Sequence, residues 1–246
     1  MTPASPQVLV GAGGLGREVL AALRARRASG QGNPRTLGFV DDRRELWGQV
    51  VDGLPVLGPV SAVTDGSLEP SLVTICTGRP GNTRSRRDID ARLRRSGVGF
   101  ATVVHPSTSV AEGTSVGDGS VLLAHVVATA PIVIGRHVVV MPQVVFTHDD
   151  VIGDFTTFGA GVRLAGGVAV ETGAYVGAGA LVREGITIGS GSLVGMGAVV
   201  TRDVPPEEVW VGNPARLLRR IDDGPGLMSE PSRADVDGPG TEGTRR

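Results

Sequence analysis

The stretch "QVVFTHDDVIGDFTTFG", residues 143–159, sets His148, Asp149 and Asp150 side by side among valine, isoleucine and phenylalanine. Three titratable side chains in a row do not suit a core strand, because an unpaired buried charge is costly. An imidazole beside a carboxylate is a proton acceptor whose basicity and tautomer the acid sets. The bland alternative is a histidine on a solvated turn. A second chemical stretch lies near the N-terminus. In "QVLVGAGGLGREVLAAL", Gly11, Gly13 and Gly16 fit G-x-G-x-x-G between a strand and an amphipathic helix. Such a loop leaves backbone N–H groups free at a helix N-terminus, where a phosphate binds. Asp41 and Asp42 end the next strand, "TLGFVDD". Acidic residues at that place hold a sugar or base by hydrogen bonds.

The elements that position these residues follow from periodicity. Every sixth residue from Val104 to Val200 is apolar, seventeen positions without an insertion. At 40% apolar composition, chance would give this on the order of once in a million. A second series, two residues before each next member, runs from Thr108 to Val204 and is small or β-branched everywhere except Asp150. Glycine often follows the first series, as in "VGDGS" and "VGAGA", where a sharp corner is expected to need it. A six-residue period with two inward positions is a short strand and a turn. Three units close a triangular coil, so residues eighteen apart stack and adjacent coils pair as parallel strands. The expectation is a parallel β-helix over residues 103–204. Gly166, eighteen residues after His148, then lies one coil away from it.

Residues 1–102 read as a small βαβαβ unit, with "SLVTICTG" as third strand and "NTRSRRDIDARLRRSG" as the helix behind it. This is one mononucleotide-binding half, too short for the six-stranded dinucleotide fold. Nothing downstream offers a hydride-transfer site, so a nucleotide carried by a substrate fits better than NAD or NADP. After Val200 the period stops at "PPEEVWVGNPARLLRRI". Proline ends the coil, and a short basic helix is expected within a cap segment, 205–221. Residues 222–246 are polar and rich in glycine and proline, and are expected to be disordered.

Composition excludes several functions. The 246 residues carry a net charge of −1, so there is no basic excess to neutralise nucleic-acid phosphates. All 24 basic residues are arginine, which removes Schiff-base and lysine-base chemistry. The single cysteine, Cys76, rules out an intramolecular disulfide and suits the cytoplasm. The N-terminus lacks the basic start of a signal peptide, and the uncharged stretches read as repeat strands rather than membrane spans.

Taken in order, "VLVGAGGLGREVL", "FVDD", "VVDGLPVLG", "VVHPSTSVAEGTSVGDG" and "VWVGNPARLL" resemble the NeuD/PglD-like sugar O- or N-acyltransferases over about residues 7–221. The resemblance implies a left-handed β-helix, a homotrimer, acetyl-CoA as donor, and an N-terminal domain that holds the nucleotide of a nucleotide sugar. It implies that His148 is the general base, oriented by Asp149 or Asp150, the resemblance favouring Asp149. It gives the Gly166 N–H the developing oxyanion, the residue that stacking by eighteen also reaches. Substrate contacts map onto Gly13, Gly14, Leu15, Asp41 and Asp42. Acetyl-CoA contacts map onto Thr157, Ala178 and Met196, with Arg216 near the CoA phosphates. Thr157 and Leu15 stand where the family carries histidines, and Met196 replaces a glycine. Zinc β-helix enzymes of the carbonic anhydrase kind use a histidine pair five apart, and here His148 plus five is Gly153. His105, His125 and His137 lie on earlier coils, and no metal is expected. The activity implied is acetyl transfer to the amino group of a nucleotide-linked amino-deoxysugar. O-acetylation of a sialic-acid-like sugar and an inactive sugar-nucleotide-binding scaffold are the alternatives.

Overall fold

The computed structural model describes residues 6–32, 34–79, 82 and 84–221; the C-terminal stretch from 222 lies outside the described residues. The chain runs through β1 (Pro6–Val10), α1 (Gly14–Ala28), β2 (Arg35–Val40), a hairpin of β3 (Val50–Val51) and β4 (Leu54–Pro55), one-turn α2 (Ser61–Thr64), β5 (Leu72–Ile75), α3 (Ser85–Arg94) and β6 (Gly99–Phe100). Three longer strands and the two-residue β6 form a parallel sheet in the order β2-β1-β5-β6. Val8, Leu9, Val10, Val73 and Ile75 are fully buried, as a sheet covered on both faces requires. Sequence reading gave three strands; β6 is the fourth. No full helix crosses from β2 to β5, because the Gly- and Pro-broken stretch "VVDGLPVLGP" folds as the hairpin instead.

Seventeen two-residue strands follow, β7 (Val103–Val104) to β23 (Val199–Val200). From β7 to β20 each pairs in parallel with the strand one coil on, eighteen residues later, as in Val121 with Val139 and Leu122 with Val140. The strands sort into three sheets. The first holds β7, β10, β13, β16, β19 and β22; the second runs from β8 to β23; the third from β9 to β21. Both six-residue series point inward. The interior is a stack of small and β-branched side chains in which Phe146 and Phe158 meet edge to face, 5.1 Å between centroids. Each fully buried valine or isoleucine contributes about 1.5–3 kcal/mol.

Glycine has two jobs here, and the one that follows the apolar series is not a corner requirement. A Cβ at Gly117, Gly153, Gly159 or Gly177 would lie 2.4–2.7 Å from a backbone nitrogen of the next coil. These glycines allow coils to stack closely. The left-handed turn lies two residues further on. There φ is positive at Gly113, Gly119, Gly161 and Gly167, and equally at His125, His137, Gln143, Asp149 and Phe155. Non-glycine residues at such positions each cost of order 1–2 kcal/mol. The strained run from His137 to Phe155 therefore marks the coils where the corners display side chains.

The outer face of the first sheet is covered by the α/β unit. Val103, Val121 and Leu123 share one buried cluster with Ala12, Val19, Leu20 and Leu23. At the far end, β24 (Glu208–Val211) adds to β22 and turns into antiparallel β25 (Arg216–Arg220). The basic helix expected for "ARLLRRI" does not form. "EVWV" meets an open strand edge at Leu193 and Val194, and the following strand pairs back onto it, so that β25 and not β22 ends that sheet.

Candidate active site

His148 and Asp149 form the two-residue turn between β14 (Val145–Phe146) and β15 (Val151–Ile152), at the corner joining the second and third sheets. Asp149 sits at the left-handed position, φ 62°, where most other coils carry glycine. That turn lets its carboxylate fold back onto the ring. His148 Nδ1 is 2.8 Å from Asp149 Oδ2. A carboxylate only accepts, so Nδ1 is the donor in this contact, and in the neutral ring Nε2 is then the acceptor. One coil on, Gly166 lies directly against the ring. A Cβ there would be 2.3 Å from both Cε1 and Nε2 of His148. The Gly166 N–H has no acceptor among the described residues. An imidazole and a backbone N–H without an acceptor thus belong to neighbouring coils, and groups of these two kinds can take up a proton and receive an oxyanion. Both side chains are exposed, at 70% and 83%, so on one chain their attraction is worth little, about 0–1 kcal/mol.

Asp150 is not part of this pair. It is 1% exposed and keeps the inward direction of its series. Its carboxylate accepts the Thr147 N–H at 2.8 Å and the Val168 N–H at 2.9 Å. It thereby clasps its own turn to the next coil, as Ser120 does when it accepts the Val138 N–H. Burial raises the Asp150 pKa, against the pull of these two N–H donors. Of the two candidate orienting carboxylates, Asp149 is the one that meets His148.

The glycine loop opens a cavity of about 390 Å³ at the carboxyl ends of β1 and β5, where the strand order reverses. Open α/β sheets bind ligands at that crevice. Gly13, Gly14, Leu15, Asp41 and Asp42 all line it. Gly11 needs its φ of 105°, and Gly16 must lack a side chain because a Cβ would strike the Gly11 carbonyl at 2.1 Å. Helix α1 starts without a side-chain cap, so its first N–H groups are available to an anion. Asp41 differs from the expected role of a direct ligand. Its carboxylate already accepts the Ala12 N–H and three donors of Arg43, its N–H, Nε and Nη2, which fills its capacity. Burial alone would raise its pKa, but the Arg43 guanidinium and the two backbone N–H groups together hold it below the usual carboxylate range. What Asp41 presents to the cavity is Arg43. Asp42 accepts the Val60 N–H and pairs with Arg92 at 3.4 Å, its side chain otherwise exposed. Sequence reading missed Arg43; the signal was an arginine directly after the acidic pair at the strand end.

The remaining expected residues scatter. Ala178 and exposed Met196, eighteen apart, stack at the corner between the first and second sheets, not at the His148 corner. Arg216 starts β25, with one Nη1 bond to the Ala215 carbonyl. Thr157 does not face His148. It points out of the first sheet, which the α/β unit covers, and its hydroxyl accepts Arg86 Nη2 at 2.7 Å. Leu15 and Thr157 nevertheless both lie near Gly78, 3.9 and 4.0 Å from where its Cβ would be. His137 is fully buried, its Nε2 2.9 Å from Asp90. His105 is tied to Ser107. No group of three potential metal ligands occurs among the described residues, and no helix there is long and apolar enough to cross a membrane.

No protein-family model and no curated protein matches the sequence. Solved structures do. The chain is similar to an alanine-for-histidine variant of GDP-perosamine N-acetyltransferase from Caulobacter crescentus, in complex with CoA and GDP-perosamine. The identity is 29% and the TM-score 0.76, over 86% of this chain and 96% of that one. The acetyltransferase domain of PglB from Neisseria gonorrhoeae, with acetyl coenzyme A, is 30% identical with a TM-score of 0.75, over 87% of this chain and 100% of that one. WeeI from Acinetobacter baumannii is 33% identical with a TM-score of 0.75, over 86% and 99%. An α/β unit followed by a left-handed β-helix is common to them and to this chain.

Proposed function

The chain belongs to the sugar N-acetyltransferases of the hexapeptide β-helix family, and on that premise we propose that it moves an acetyl group from acetyl-CoA to the amino group of a nucleotide-linked amino-deoxysugar. The observation that carries the proposal is the contact of the His148 ring, Nε2 included, with the bare backbone of Gly166. In the proposed reaction the sugar amine attacks the thioester carbonyl while His148 Nε2 takes its proton. Asp149 holds the Nδ1 proton in place and offsets the charge of the imidazolium. The Gly166 N–H donates to the oxyanion of the tetrahedral intermediate. That intermediate collapses with cleavage of the carbon–sulfur bond. The proton on His148 passes to the departing thiolate, which gives the amide, CoA and the neutral imidazole.

The nucleotide would sit in the cavity, with its phosphates at Gly13, Gly14 and Leu15 beside Arg43. The cavity lies on the side of the first sheet, whereas His148 lies on the corner between the other two. A sugar held by one chain therefore faces away from that chain's own imidazole, and we assign the site to two copies in a homotrimer. Val133 and Val151, 55% and 54% exposed on the third sheet beside the His148 corner, are apolar surface suited to such packing. Ala178 and Met196, on another corner, would then reach acetyl-CoA from across the interface. Light scattering during turnover tests this assembly; full activity in a monomer would contradict it. The nucleotide reading is tested by calorimetric titration with UDP-, dTDP- and GDP-linked amino sugars beside NADH. One of the former should bind and NADH should not, and the reverse pattern would overturn it.

A further inference from the structure

Helix α3 belongs to both halves of the molecule. Ser85 and Ile89 line the cavity, while Arg86 and Asp90, both buried, point to the β-helix. Arg86 Nη1 donates to the Thr77 carbonyl at 2.8 Å, and Thr77 is itself part of the cavity wall. The rest of the fork crosses the junction. Nε donates to the His137 carbonyl at 3.1 Å, and Nη2 to the carbonyls of Phe155 at 2.7 Å and Thr156 at 3.0 Å, as well as to the Thr157 hydroxyl. Arg86 has no carboxylate partner among the described residues. Burial pulls its pKa down to about 10. A buried cation held only by neutral acceptors is an expensive way to glue two surfaces, since apolar residues would pack there at lower cost. The cavity wall is also shaped around it: a Cβ at Gly78 would be 2.7 Å from Nη1.

We propose that Arg86 is a positioning residue for acetyl transfer. Its rigid fork ties the cavity wall at Thr77 to the β-helix corner at Phe155–Thr157, and so fixes the direction in which the bound nucleotide sugar presents its amine. The inference rests on the reading of the cavity as the nucleotide site. It matters most if the sugar is delivered to a neighbouring copy, because a small tilt of the α/β unit is magnified at the sugar end. Lysine cannot replace the fork: an ammonium offers three donors from one point and cannot span acceptors on two elements.

The test compares Arg86→Lys and Arg86→Gln with the wild type by thermal melting, calorimetric Kd for the nucleotide sugar, KM for acetyl-CoA, and kcat. Both variants should keep Kd and KM within about threefold while kcat falls roughly 10²-fold, the usual result of an ångström-scale misplacement of reacting groups. A folded Arg86→Lys with kcat within about threefold of wild type overturns the proposal. So does a loss of Kd and kcat together that tracks the unfolded fraction. Should both variants unfold, Thr157→Val removes one acceptor at nearly constant volume, and an unchanged kcat in that variant would overturn the proposal equally. If the wild type itself binds no nucleotide sugar, the cavity reading fails first; if it binds and turns over, the Arg86 variants decide the inference alone.

Discussion

Gly166→Ala isolates the geometry of the corner from its stability. The new Cβ would be 2.3 Å from His148 Cε1 and Nε2, and ordinary contact begins near 3.4 Å, so the ring must retreat by about 1 Å. Gly166 does not have a positive φ, so alanine fits its backbone. The ring is exposed and can swing aside at little cost to folding. The Gly166 N–H stays in place. The substitution should therefore leave the melting temperature nearly unchanged while kcat falls about 10²-fold, or about 2.7 kcal/mol of transition-state stabilisation. Gly113→Ala is the contrast. Its φ is 89° and a Cβ would only touch Pro131 at 3.6 Å. Strain there costs of order 1–2 kcal/mol, which lowers the melting temperature by roughly 2–8 °C in a chain of this size without touching kcat. Steady-state release of CoA, with melting followed by circular dichroism, reads both. A Gly166→Ala enzyme with wild-type melting and kcat within threefold of wild type would refute the placement of His148 over Gly166.

Acid should loosen the junction. Burial lowers the His137 pKa, against the pull of Asp90 and with a smaller push from Arg136 and Arg94. Its folded value thus lies below the ordinary 6.5, so the unfolded chain takes up the proton first. The stability from His137 is full above pH 6.5 and is lost as pH falls through the folded value. The melting temperature should drop between pH 7.5 and 5, and His137→Asn, which tolerates the left-handed turn, should flatten that drop; an unchanged slope would contradict the assignment. Asp150→Ala should leave the buried Val168 N–H and the half-buried Thr147 N–H without their acceptor, at about 1–3 kcal/mol for the buried donor. A melting temperature within 2 °C of wild type would show that the clasp between Thr147 and Val168 is not formed.

The β-helix was legible because a six-residue period constrains every inward position from Val104 to Val200. The corner proposed as catalytic stands out in the sequence for a related reason: acids break that pattern only where a turn or a special partner receives them. Which acid does which task was not. Sequence gives Asp150 a side of the strand, but only the folded chain shows the Thr147 and Val168 N–H groups that hold it there. The left-handed turns at His137, Gln143 and Phe155 were hidden because glycine, their usual marker, is absent. Arg86 was hidden among the arginines of "TRSRRDIDARLRR", which sequence pattern marks only as the helix behind the third strand. Its acceptors at His137 and Phe155 lie 51 and 69 residues away. The hairpin that replaces the expected basic helix shows the same limit: local pattern favoured a helix, and the open edge of β22 decided otherwise.

The most direct measurement is CoA release from acetyl-CoA, read with a thiol reagent, across UDP-, dTDP- and GDP-linked amino sugars. The assay background is low, since Cys76 is buried and its pKa is pushed up to about 12. At least one acceptor should be acetylated on its amino group by the wild type. His148→Ala should lower kcat by about 10²–10⁴, the usual worth of a general base, while acetyl-CoA affinity holds. No turnover with any nucleotide-linked amino sugar, or a His148→Ala enzyme within threefold of wild type, would contradict the account.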